Sequence, residues 1–320
     1  MLLAPIVLLS VLQAAPTPAY DPLKVDAVEQ TMVDLTIHVA SRNRDIPVRV
    51  YLPAQKTPQP VVLYSHGLGG SRETSAFLGK HWAQRGYVAV FMQHPGSDES
   101  VWSDKAPSER MAALGHAANL EQFLARVQDV PDVIDAITRW NAEKGHALMG
   151  RMDLTKIGMS GHSFGAITTE AVSGETTSTG RSFTDPRIRA AVIFSPSPPK
   201  RGDAATAFAS VKIPWMLMTG TKDVAPIGND TAESRLKVFP ALPAGHKYEL
   251  VLDGAQHSVF TDRQLPGDEP QRNPKHHPAI EALSTAFWDA YLRGDAAAQK
   301  WLDGTGPRSI LEAADKWETK

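Results

Sequence analysis

Residues 156–165 read KIGMSGHSFG, an apolar strand-like run that ends in a G-x-S-x-G turn. A stretch of small residues able to start a helix follows (Ala166, Ile167, Thr168, Thr169). Strand, sharp turn and helix in that order make up a nucleophile elbow. A serine at the tip of so tight a turn sits in strained backbone geometry, and side chains two positions away would collide. Gly161 and Gly165 remove those side chains, so the Ser163 hydroxyl can project from the top of a sheet. The Phe164 N–H would then face whatever Ser163 attacks. Few folds present a serine this way, so the turn restricts the rest of the chain.

Strand and helix patterns alternate around it. Residues 31–40 and 45–52 alternate apolar and polar across a short polar turn and predict an antiparallel hairpin. Residues 60–64 and 87–92 are continuous apolar runs, the pattern of parallel strands buried on both faces. Between them lie a glycine-rich turn (Gly67, Gly69, Gly70) and a helical stretch at 75–85. Residues 101–142 predict two amphipathic helices, the second opening at Val130-Pro131-Asp132. Further strands are expected at 188–194, 214–218 and 248–252, the last of them. A closing helix is expected at 278–292 and a weakly helical tail at 309–317. This predicts a mostly parallel, doubly wound α/β sheet with an N-terminal antiparallel hairpin and helices on both faces. It also predicts a single domain, residues 20–320, with insertions near 95–128, 173–187 and 225–246.

A nucleophilic serine needs a base within hydrogen-bond reach and an acid to orient that base. In α/β-hydrolases the acid and then the histidine follow the serine in the chain. Asp223 lies just past the 214–218 strand, and His257 just past the 248–252 strand. All three positions sit beyond carboxyl ends of parallel strands, where an open α/β sheet forms its crevice. Asp203 is the alternative acid, but it follows an earlier strand. The second donor for an oxyanion, beside Phe164 N–H, is expected from the 67–70 turn, with Leu68 N–H as the candidate.

These segments carry a family resemblance. SHGLGGSR at 65–72, GYVAVFMQHP at 86–95 and GHSFG at 161–165 resemble the platelet-activating-factor acetylhydrolase and dienelactone-hydrolase-like branch of the α/β-hydrolases. The likeness covers roughly residues 45–260. It implies an α/β-hydrolase fold, Ser163 as nucleophile, Asp223 as acid, His257 as base, and Leu68 with Phe164 as oxyanion donors. Gly165 is followed by Ala166 where relatives often have a second glycine. The nucleophile is serine where dienelactone hydrolases use cysteine, so that activity is not expected.

Composition closes off other classes. The 320 residues contain no cysteine, which rules out disulfides, thiol nucleophiles and cysteine metal sites. A net charge of −2 gives no general attraction to nucleic acid. No dinucleotide fingerprint follows a strand, the glycine turn lacks a P-loop lysine, and no cofactor is expected. Residues 275–277, with His276 and His277, have no metal-ligand spacing. Arg72 with Glu73 suits a structural ion pair, and His66 and His94 suit loop-fixing hydrogen bonds. Trp102, Met111, Phe164 and Phe260 are candidates for an apolar wall. Asn229 opens a glycosylation sequon, relevant only in a eukaryotic secretory host. Residues 1–15 are apolar, too short to span a bilayer, and suit a secretory signal cleaved after Ala15 or Ala19, which predicts a secreted or periplasmic protein. The expected function is a serine hydrolase of small or lipid-like carboxylic esters acting through an acyl-enzyme. Acyl transfer from the same intermediate, or a secreted binding module without turnover, are the alternatives.

Overall fold

Apolar runs without alternation pair as the inner strands of one sheet, because both of their faces are covered. A computed structural model describes residues 19–25, 31–265, 268–269 and 271–320, so the expected signal segment lies outside the described residues except for Ala19. The strands are β1 (Thr31–Val39), β2 (Arg44–Leu52), β3 (Gln59–Ser65), β4 (Val88–Met92), β5 (Met152–His162), β6 (Ile188–Phe194), β7 (Trp215–Lys222), β8 (Lys247–Gln256) and β9 (Lys316–Thr319). Their order is β1-β2-β4-β3-β5-β6-β7-β8-β9. β3 to β8 are parallel. The β1–β2 hairpin joins β4 antiparallel at one edge, and β9 joins β8 antiparallel at the other.

The helices are α1 (Ala76–Gln84), α2 (Arg110–Ala117), α3 (Leu120–Ala142), α4 (Phe164–Ser173), α5 (Ala204–Phe208), α6 (Ala232–Arg235), α7 (Val238–Ala241), α8 (His276–Leu292) and α9 (Ala296–Asp303). The two-residue period of a strand distributes β3 between two cores. Val62 and Tyr64 pack with Trp82 of α1 and Phe287 and Trp288 of α8. Val61 and Leu63 pack with Val130, Val133, Ile134 and Ile137 of α3. A Cβ on Gly158 would lie 2.7 Å from the Trp288 ring, so glycine in β5 lets α8 dock closely. The predicted α/β-hydrolase architecture, with its N-terminal hairpin and helices on both faces, is the one observed.

Two boundaries differ from expectation. Pro131 does not start a new helix; it lies inside the continuous α3, whose N-cap is Asn119. An internal proline costs roughly 3 kcal/mol, whereas each fully buried aliphatic side chain contributes about 1.5–3 kcal/mol. Val130, Val133, Ile134 and Ile137, all fully buried, therefore outweigh it. Past Ser309, which ends a 3-10 turn, the expected 309–317 helix is absent: the tail ends in β9, where Trp317 pairs with Leu250 and stacks on Tyr248 at 5.5 Å. This strand covers what would otherwise be an open edge of β8. The parallel direction of β3, β5, β7 and β8 brings residues 65–70, Ser163, Asp223 and His257 to one edge of the sheet.

Candidate active site

Ser163 lies between the end of β5 and the start of α4 with φ 57° and ψ −113°, a region L-residues avoid. Its flanking glycines have separate steric reasons. A Cβ on Gly161 would lie 2.2 Å from the Gly165 carbonyl oxygen, a collision across the bend as expected. A Cβ on Gly165 would lie 1.9 Å from the Ser65 carbonyl oxygen, so that glycine lets α4 press against the end of β3. Gly165→Ala is expected to lower stability by about 3 kcal/mol in urea unfolding, since the obstacle is backbone. Gly115→Ala, where nothing lies within 4 Å of the added carbon, should be neutral or slightly stabilising. Equal stability of the two variants would contradict the packing.

The three predicted side chains meet. His257 Nε2 is 2.9 Å from Ser163 Oγ, and His257 Nδ1 is 2.6 Å from Asp223 Oδ1. Asp223 is fully buried. Burial alone would raise its pKa, but the hydrogen bond and charge of His257, with the charge of Arg235, hold it well below the usual carboxylate range. Thr219 Oγ1 donates to Asp223 Oδ2 at 2.8 Å. Because Asp223 accepts at Nδ1, the hydrogen on the neutral ring sits there and Nε2 is free to accept from Ser163.

Sequence reasoning missed two residues around this triad. Arg235 of α6 pairs with Asp223 Oδ1 at 3.0 Å and donates to the carbonyls of Ser195 (2.7 Å), Pro196 (3.0 Å) and Asp223 itself (3.0 Å). It clamps the loops after β6 and β7 together. His162 Nε2 lies 3.0 Å from the His257 carbonyl oxygen, and its ring is 4.6 Å from the His257 ring. Burial and the neighbouring His257 push His162 well below the usual histidine range, so it is neutral and donates through Nε2. The 3-10 turn His257–Phe260 is also held by His277 at the Val259 carbonyl (2.9 Å) and Ser75 at the Phe260 carbonyl (2.6 Å).

The glycine turn lies against the serine: a Cβ on Gly67 would be 3.4 Å from Ser163 Cβ. Among the described residues, neither the Leu68 N–H nor the Phe164 N–H donates to a protein acceptor. Below the turn is a buried polar layer. His66 Nδ1 donates to Gly67 O at 2.6 Å while its Nε2 accepts from the His94 N–H at 3.0 Å. His94 in turn bridges Ser65 Oγ and Asp129 Oδ2, each at 2.9 Å. Burial, reinforced by Arg126, lowers His66 well below the histidine range and His94 to about 4, so both are neutral loop-fixing groups, as expected. Arg126 and Asp129 of α3 were not foreseen. The available signal was two charges on the stripe of Phe123, Val127 and Val130, which should face the core.

Other expectations separate cleanly. Asp203 caps α5, accepting from the Thr206 N–H at 2.8 Å, and does not reach His257. His276 and His277 are bound to carbonyl oxygens of Asp253 and Val259, and no group of three potential ligands gathers among the described residues. Arg72 and Glu73 pair not with each other but with Asp34 and Arg49 of the hairpin. Trp102 donates to the Gly69 carbonyl at 2.8 Å, on the glycine turn. Met111 of α2 is half exposed, whereas Phe260 is fully buried against His162 and Phe194 and so cannot wall an open crevice. A groove of about 510 Å³ lined by Ile134, Thr138, Leu154 and Arg187 opens near the amino end of β5, opposite the serine.

A family model described as platelet-activating factor acetylhydrolase, isoform II, matches residues 25–113. The chain resembles this α/β-hydrolase family. The match spans the hairpin, β3, the glycine turn and β4, and stops before Ser163. No curated protein matches the chain. The family name denotes an ester-cleaving hydrolase, so resemblance and fold agree at the level of a hydrolase acting on esters.

Proposed function

We propose that this protein cleaves carboxylic esters through an acyl-enzyme on Ser163. The observation that carries the reading is the continuous relay Ser163 Oγ–His257 Nε2 at 2.9 Å and His257 Nδ1–Asp223 Oδ1 at 2.6 Å. His257 takes the Ser163 proton as Oγ bonds to the ester carbonyl carbon, and the carbonyl oxygen becomes an oxyanion. Leu68 N–H and Phe164 N–H stabilise it; losing one such donor costs a factor of about 100 to 1,000 in turnover. The intermediate collapses as His257 gives its proton to the departing alkoxide, which leaves as the alcohol. Water, deprotonated by His257, then attacks the acyl-serine, and the proton returns to Ser163 as the carboxylic acid departs. Asp223 stays ionised throughout and stabilises the imidazolium.

The test is covalent. A fluorophosphonate should label the protein once, at the peptide containing Ser163, and p-nitrophenyl acetate should give a burst of nitrophenol close to one equivalent whenever deacylation is slow. Labelling elsewhere, or none, would overturn the reading.

A further inference from the structure

We propose that Arg126 is the positioning residue of the oxyanion site, an inference that rests on the ester-hydrolase reading above. Arg126 is fully buried on α3 beneath the glycine turn. Its Nη1 donates to the His66 carbonyl at 2.7 Å, and its Nη2 lies 3.5 Å from the Gly67 carbonyl. From the other side its Nε donates to Ser97 Oγ at 2.8 Å and its Nη2 to Ser97 O at 3.3 Å. The Cζ of the same guanidinium lies over the Phe164 ring, 4.3 Å from its centre.

These contacts reach the two oxyanion donors through their own segments. The Gly67 carbonyl and the Leu68 N–H belong to one planar trans peptide, so they point in opposite directions. Holding Gly67 O downward, by Arg126, by His66 Nδ1 at 2.6 Å and by Gly70 N at 3.1 Å, turns Leu68 N–H outward to the crevice. Holding the Phe164 side chain sets the first residue of α4, whose N–H is the second donor. One cation therefore sets the spacing of both donors before substrate arrives.

The charge itself is unusual. Among the described residues Arg126 makes no ion pair; the nearby Asp129 is taken by Arg42, Arg44 and His94. Burial lowers the guanidinium to about 9, so it is cationic at neutral pH. The charges of Asp129 and Asp98 offset part of the cost of burial, but the direct partners are carbonyls, a hydroxyl and a ring. An apolar side chain of similar volume would fill the space without that cost. Its field favours negative charge on the other side of the turn, where the oxyanion forms.

The experiment compares Arg126→Met and Arg126→Lys with the wild type in the full chain, with active sites counted by fluorophosphonate titration. A trifluoromethyl ketone forms an oxyanion adduct with the serine; an ether analogue of the ester binds without one. For Arg126→Met, kcat/KM for p-nitrophenyl acetate per titrated site should fall about 10- to 100-fold, less than complete loss of a donor. Ketone affinity should weaken by the same factor, while ether affinity stays within about 3-fold. Arg126→Lys, which keeps the charge without the planar fork, should fall between. It carries the same comparison if Arg126→Met does not fold. Unchanged kcat/KM per titrated site, or equal weakening of ether and ketone, would overturn the proposal. Failure of the wild type to label would instead remove the ester-hydrolase reading beneath it.

Discussion

Replacing Ser163 with alanine is expected to reduce kcat toward a p-nitrophenyl ester about a million-fold, with KM little changed, because serine and histidine act as one unit. Adding His257→Ala to Ser163→Ala should lower the rate hardly further, since the base has no proton left to take. Residual hydrolysis, about a thousand-fold or more above water, should persist through Leu68 N–H and Phe164 N–H. The elbow adds a second readout. At φ 57° alanine is as strained as serine, but glycine is not. Ser163→Gly should therefore be inactive yet more stable than Ser163→Ala by about 1 kcal/mol in urea unfolding. Near-normal turnover by Ser163→Ala would end the acyl-enzyme account, and equal stability of the two variants would remove the strain from it.

Asp223→Asn is expected to lower kcat about 10,000-fold while leaving the serine, the glycine turn and the fold in place. The amide can present a hydrogen to His257 Nδ1, which forces the ring hydrogen to Nε2 and leaves nothing to accept from Ser163. Stability should respond too, with a defined pH dependence. The folded-state pKa of Asp223 is depressed below its ordinary value of about 3.9. Its contribution is thus present above about pH 3.9 and is lost as pH falls through the folded-state value. Wild type should exceed Asp223→Asn in urea-unfolding free energy at pH 7, and the gap should narrow below about pH 3.9. Asp223 should not contribute to the acid limb of the wild-type kcat/KM profile, because it stays ionised below the usual carboxylate range. A gap that widens on acidification would place the stabilising proton elsewhere.

Local chemistry determined much of the molecule without reference to distant residues. GHSFG at 161–165 requires a strand–turn–helix bend because two of its positions have no room for a side chain. Unbroken apolar runs at 60–64 and 190–194 require a sheet covered on both faces. A strand end followed by Asp223, and the next followed by His257, place those groups on one edge once the strands are parallel. Tertiary structure decided what these local signals leave open. Burial of valines and isoleucines carried α3 through Pro131 against the local preference of proline. Lys316–Thr319 is short and polar and becomes β9 only because β8 offers an edge and Tyr248 a ring for Trp317. Arg235 carries no motif, and its value lies in meeting Asp223 and two carbonyls from another loop. Arg126 was visible only as a charge on an apolar stripe, since Ser97 and His66 lie 29 and 60 residues earlier in the chain and Phe164 lies later. The elbow positions its serine by bonds to its neighbours; the proposed oxyanion site depends on a side chain from another helix, and only the folded chain brings the two together.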